Sequence, residues 1–343
     1  MKFSCAFITL LASGCMSQRA PAWTIDKSCD TYDNQNIRDK IKDSVLEGLK
    51  LAEDAVGVMR DHADDPWVQE MSKLVLGRRD GFETRFEAAR QTLERVAAFE
   101  RAPSNHLPLT DEWKSMSNNR DWEIYCNADR FQKGDRFTKN AAFGNRYLWP
   151  DTAANFRRCY NNEFQSGSGI DGAKMTTLTS DIIDKVAFAA AYRPAGSTAK
   201  IEDFTTESVY ASSTDVCLWF LDKTYRQGFP QIDNQLLEMV KSDGFRAGFT
   251  HGVPVDGLKT ASFTFLHELT HTTQGGKLKD LTDLPPEIPS CYNWYCVTKM
   301  ALEPSIEVER NADSIAILAL ALRVWKMNHH VDADGVIHEI PRT

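Results

Sequence analysis

Phe263-Thr264-Phe265-Leu266-His267-Glu268-Leu269-Thr270-His271 is the stretch of this 343-residue chain that decides its reading. The apolar run that leads into the two histidines predicts a buried helix, extending from about Lys259 to Gly275. In a helix, residues four apart stand above one another on one face, so His267 and His271 can aim ring nitrogens at one metal ion. Glu268 projects beside that face, where its carboxylate can hold a water and take its proton. Histidine ligands and an adjacent, non-ligating base are the working parts of a hydrolytic Zn²⁺ site with one ion per chain.

Such a site needs a third protein ligand and an open position. Lys277 and Gln274 stand where a third histidine and its preceding glycine would mark the metzincin pattern, so that pattern is excluded. Two kinds of candidate remain. One is an aspartate of the polar loop after the motif, Asp283 or Asp280. The other is Glu309, since Glu309-Arg310-Asn311-Ala312-Asp313 has the ExxxD layout of a helical glutamate ligand followed by an orienting aspartate. Asp313 lies on a second expected helix, from about Ser305 to Met327, in register with Ile317, Leu320 and Val324. A carboxylate on a buried stripe needs a partner, and the outer N–H of a metal-bound histidine suits it.

The rest of the chain is bounded from its termini inward. Residues 1–20 have one early Lys, an apolar stretch through Leu11 and small residues after it, the layout of a secretory signal peptide. An extracellular location is therefore expected. A net charge of −8 spread along the chain excludes a nucleic-acid partner, and no stretch reads as a membrane span. Six cysteines follow the signal segment, and in an oxidising compartment they read as disulfides. Cys291 and Cys296 are near enough in sequence to close a small loop; Cys29, Cys126, Cys159 and Cys217 leave three connectivities open. Residues 21–105 form an N-terminal helical region, broken near Asp64-Asp65-Pro66 and Arg79-Asp80-Gly81, that either packs on the remainder or is a pro-segment. Residues 106–343 form the catalytic domain, with a strand around Trp122–Cys126 and a C-terminal hairpin at Asp332-Ala333-Asp334-Gly335. His329-His330 reads as a solvated doublet.

The motif, Cys291-Tyr292-Asn293-Trp294-Tyr295-Cys296 and Asn311-Ala312-Asp313-Ser314-Ile315-Ala316 occur in the order and approximate spacing of the deuterolysin-like fungal metalloendopeptidases, the aspzincins. From about Ser208 to Val324 the chain resembles that family's catalytic half, as a divergent member. The resemblance implies that zinc is held by His267, His271 and Asp283 rather than Glu309. It also implies Glu268 as base, Tyr292 as the phenol that hydrogen-bonds the tetrahedral intermediate, and Asp313 behind a histidine. Asn293 departs from the family's Tyr-Gly pair, and Leu284 to Cys291 stretch the Asp-to-Tyr spacing.

The expectation is an α+β, mainly helical, zincin-type metallopeptidase with the HExxH motif on its active-site helix and a small β-sheet. It is a secreted monomeric endopeptidase acting on polypeptides. The rivals are a non-catalytic secreted effector or binding protein on a zincin scaffold, and a gluzincin-like peptidase that uses Glu309.

Overall fold

The computed structural model describes residues 21–101, 122–126, 139–140, 146–147, 189–192, 212–216, 218–249, 252–272, 274–281 and 292–341. The fold is α+β and mainly helical, with small sheets.

The principal sheet joins β1 (Ala22–Ile25), β4 (Glu100–Arg101), β5 (Trp122–Tyr125), β8 (Ala189–Tyr192) and β9 (Ser212–Val216) in the order β4-β1-β5-β9-β8. Its first four strands are parallel and β8 runs antiparallel to β9. Separate two-stranded pairs are formed by β2 (Thr31–Tyr32) with β3 (Gln35–Asn36), and by β6 (Lys139–Asn140) with β7 (Arg146–Tyr147). The expected strand at Trp122 is present, whereas β1 and β9 are short and partly polar and give little alternating signal. Trp23 and Trp122 face one another in register and are fully buried. The Trp122 indole N–H donates to Thr214 Oγ1 at 2.9 Å, and its ring meets Phe265 edge-on at 6.3 Å. The sheet is thereby seated against the helix that carries the histidines. A disulfide, Cys29–Cys126, ties the end of β1 to the end of β5 across 97 residues.

Three helices occupy the N-terminal region: α1 (Arg38–Asp61), α2 (Pro66–Leu76) and α3 (Phe82–Ala97). They break where the sequence predicts. Asp65 caps α2 by accepting from the Trp67 and Val68 amides, with Pro66 in the first turn where a missing N–H costs nothing. After α4 (Leu218–Arg226), α5 (Asn234–Lys241) and α6 (Asp243–Gly248) come α7 (Ala261–His271), α8 (Trp294–Met300) and α9 (Ala312–Lys326). Helix α9 is buried on every side from Ala312 to Leu322, which makes it the central helix of the core. Helices α1, α7 and α9 pack on one another. At Gly48 the crossing of α1 and α7 is close enough that a Cβ would lie 2.7 Å from the Ser262 carbonyl oxygen. Asp54 of α1, with 2% of its side chain exposed, binds Arg323 at 2.8 Å and Lys326 at 2.7 Å on α9. Helix α1 is thus a wall of the core that holds the motif helix.

Two helices differ in extent from expectation. The motif helix stops at His271, because Thr272 turns extended and the chain reverses through Gly275 and Gly276. Helix α9 starts at Ala312 and not at Ser305, since Asn311 is extended and spends its backbone on a parallel bridge with Lys279. The expected C-terminal hairpin is present as β10 (His329–Val331) with β11 (Ile337–Glu339). Its histidine doublet is not solvated: His329 is buried, with Nδ1 against the Met327 carbonyl and Nε2 2.9 Å from Lys241 Nζ, and His330 stacks on Trp67. Among the described residues, no helix is long and apolar enough to cross a membrane.

Candidate metal centre

Helix α7 is buried from Ala261 to Thr270, and its face bearing His267 and His271 looks toward the chain segment that follows the motif. That segment returns through a tight reversal. A Cβ on Gly275 would sit 1.9 Å from the Leu269 carbonyl oxygen, so the reversal needs glycine there. The Leu278 amide donates to Thr270 O at 3.0 Å, while the Leu278 carbonyl meets His271 Nδ1 at 2.9 Å. With Nδ1 donating to that carbonyl, the Nε2 lone pair is left facing the site.

Asp280 follows at once, and its position is set by α9. The Lys279 amide donates to Arg310 O, the Ala312 amide donates to Lys279 O, and the Leu281 amide donates to the Asn311 side-chain oxygen at 3.1 Å. Asp280 is held between these bonds with its carboxylate directed at the histidines. His267 Nε2, His271 Nε2 and Asp280 Oδ1 lie 3.1, 3.3 and 3.4 Å from one another. Asp280 Oδ1 is buried and has no hydrogen-bond partner. Three acceptor atoms brought this close repel unless something positive sits among them. A four-coordinate ion with bonds of about 2.0–2.1 Å holds its ligand atoms about 3.3 Å apart, the edge of a tetrahedron. The observed separations fit that edge, and His267, His271 and Asp280 form a group that could hold a metal ion.

The charges around the group are those of a cation site. Burial alone would lower the His267 pKa, but Asp280, Asp313 and Glu268 outweigh it and raise it well above the usual histidine value. Burial alone would raise Asp280, but His267 and His271 hold it far below the carboxylate range. Asp313 sits behind His267, with Oδ1 3.4 Å from Nδ1, a little long for an N–H···O bond, and Nδ1 finds no other partner. The aspartate is 2% exposed, as the stripe through Ile317, Leu320 and Val324 requires.

Glu268 is buried on α7, near enough for its charge to act on both His267 and Tyr292. The Tyr292 ring lies 6.3 Å from that of His267. Tyr292 is exposed as a residue, while burial around its hydroxyl and the carboxylates of Asp280, Asp313 and Glu268 drive the phenol to a higher pKa.

The structure therefore gathers His267, Glu268, His271, Asp280, Tyr292 and Asp313. Glu309 is not gathered with them: it lies in a 3-10 turn (Val308–Arg310) ahead of α9, where its charge acts on Arg85. Asp283 and Cys291 fall outside the described residues, and Cys296 is disulfide-bonded. Two residues carry weight that the sequence reading did not assign. Asn311 orients the Asp280 segment through its side-chain oxygen and its bridge to Lys279. Lys259, just ahead of α7, lies 3.7 Å from Asp313 Oδ2. No protein-family model, curated protein or solved structure matches this chain.

Proposed function

We propose that the chain is a secreted zinc-dependent endopeptidase of zincin-type fold, aspzincin-like, with His267, His271 and Asp280 holding the ion. The observation that carries this reading is the convergence of those three ligand atoms at tetrahedral-edge distances beside an intact Glu268. The histidine-rich donor set with a single carboxylate favours zinc over the harder magnesium or calcium. When bound, zinc would supply Lewis acidity toward water and the scissile carbonyl.

The chain's own residues do the remaining work. Asp313, its Oδ1 3.4 Å behind His267 Nδ1, orients that ring by its charge, and the Leu278 carbonyl accepts from His271 Nδ1. Glu268 accepts a proton from the attacking water on its carboxylate and passes it to the departing amine nitrogen. The Tyr292 hydroxyl, like any ordinary phenol, is protonated at neutral pH and can donate to the oxygen of the tetrahedral intermediate. The Cys29–Cys126 disulfide supports an oxidising, extracytoplasmic compartment.

The test is zinc content together with casein hydrolysis, comparing wild type with Glu268→Gln. Wild-type cleavage that Glu268→Gln loses, with zinc retained in both, is the expected result. Equal, background-level cleavage by both would refute the enzyme reading and leave a binding protein on the same scaffold.

A further inference from the structure

Lys259 precedes α7 at the end of a 3-10 turn (Pro254–Leu258) and keeps only 16% of its side chain exposed. Its ammonium donates to the backbone carbonyl of Tyr292. It also lies 3.7 Å from Asp313 Oδ2 and 3.8 Å from Asp256 Oδ1, and its charge sits 4.8 Å from the centre of the Phe263 ring. Asp256 in turn accepts from the Trp294 amide at 3.0 Å and from the Val253 amide at 3.2 Å. One cation therefore joins the aspartate behind His267, the carboxylate that anchors the start of α8, and the main chain of Tyr292 itself.

We propose that Lys259 is a positioning residue that holds Tyr292 over the metal site and couples its placement to Asp313. The inference rests on the endopeptidase reading for its consequence in catalysis, though the clamp itself does not depend on it. Tyr292 is joined to α8 through Asn293, whose side chain caps the helix by accepting from the Cys296 amide. Lysine is suited to the task, because a compact ammonium can donate to the carbonyl while its charge faces both carboxylates. Methionine keeps the stem and loses the charge, whereas arginine keeps the charge and changes its shape.

The experiment uses the full-length protein and two readouts. The first is amide hydrogen exchange of the segment 292–300 in metal-free wild type, Lys259→Met and Lys259→Arg, with α9 peptides as the internal control. Lys259→Met should speed exchange in that segment by about tenfold while α9 is unchanged, and Lys259→Arg should recover part of the protection. The second is peptidase kinetics on zinc-loaded protein. Lys259→Met should lower kcat by about tenfold to a hundredfold with little change in KM or zinc stoichiometry, and Tyr292→Phe should remove most of that effect. Unchanged exchange in segment 292–300 overturns the clamp. Faster exchange with an unchanged kcat, or the same loss in the Tyr292→Phe background, overturns its role in placing the phenol. Faster exchange in a protein whose wild type and Glu268→Gln are equally inactive leaves the clamp standing and removes the endopeptidase reading.

Discussion

Removing the carboxylate of Asp313 should weaken zinc binding although Asp313 is not a ligand. With Nε2 given to a metal ion, the remaining ring proton of His267 is on Nδ1, which faces Asp313 Oδ1 at 3.4 Å and has no other hydrogen-bond partner. With Asp313→Ala the ring loses the group that sets its angle and raises its basicity. Partners of this kind contribute about tenfold to a hundredfold in metal affinity, or about 1.4–2.7 kcal/mol. Asp313→Asn keeps an oxygen that can accept from Nδ1 and discards the charge, so its loss should fall between wild type and Asp313→Ala. Lys259 would still have Asp256 3.8 Å away in either variant, which limits the wider damage. The assay is competition for zinc against a chromophoric chelator near neutral pH, well below the melting temperature of each variant. If Asp313→Ala binds zinc within about twofold of wild type while Asp280→Ala does not bind it, the argument for Asp313 is refuted.

Asp280→Ala should reduce zinc affinity by more than the roughly hundredfold upper range for a supporting residue, and Asp283→Ala should leave it unchanged; zinc retention by the Asp280 variant would shift the third ligand elsewhere. Replacing Cys29 and Cys126 by serine releases a loop of 97 residues, and denaturant titration should register a loss of about 3–5 kcal/mol. Gly48→Ala should destabilise the fold by about 1–3 kcal/mol, because its Cβ would press on the Ser262 carbonyl and part α1 from α7. Burial would raise the Asp54 pKa, but Lys326 and Lys50 outweigh it and hold the carboxyl below its ordinary value. The stability Asp54 contributes is therefore complete above the unfolded pKa of about 3.9 and is lost as pH falls through the lower folded value. Asp54→Asn should cost about 1–2 kcal/mol near neutrality, discounted for the partial exposure of its partners, and the difference from wild type should vanish in acid.

What could be read from the residues depended on whether the cause was local. The breaks around α2 were legible because Pro66 and Gly81 act on their own backbone. The inward direction of Asp313 was legible because helical periodicity carries it from Ile317 and Leu320. The sheet was not, since Ser212-Ser213-Thr214-Asp215-Val216 looks polar until Thr214 meets the indole of Trp122 from a distant strand. The inward direction of Asp280 was not legible either: a bridge from Lys279 to Asn311 sets it, and no spacing rule encodes that bridge. The same bridge delays α9, which is why Glu309 sits in a 3-10 turn and not on the helix that the ExxxD layout presupposes. His329 was misread because its partners, Lys241 and the Met327 carbonyl, belong to tertiary packing.

The bridge between Lys279 and Asn311 also decides which changes of sequence the site can absorb. Among the described residues, Asp280 is secured from upstream by the reversal after the motif helix and from the side by the start of α9. Substitutions at Asn311 or in the reversal after α7 therefore bear directly on the Asp280 carboxylate. Tyr292 is held instead from α8 and Lys259. On the proposed metallopeptidase reading, metal retention and placement of the phenol rest on separate contacts of the fold.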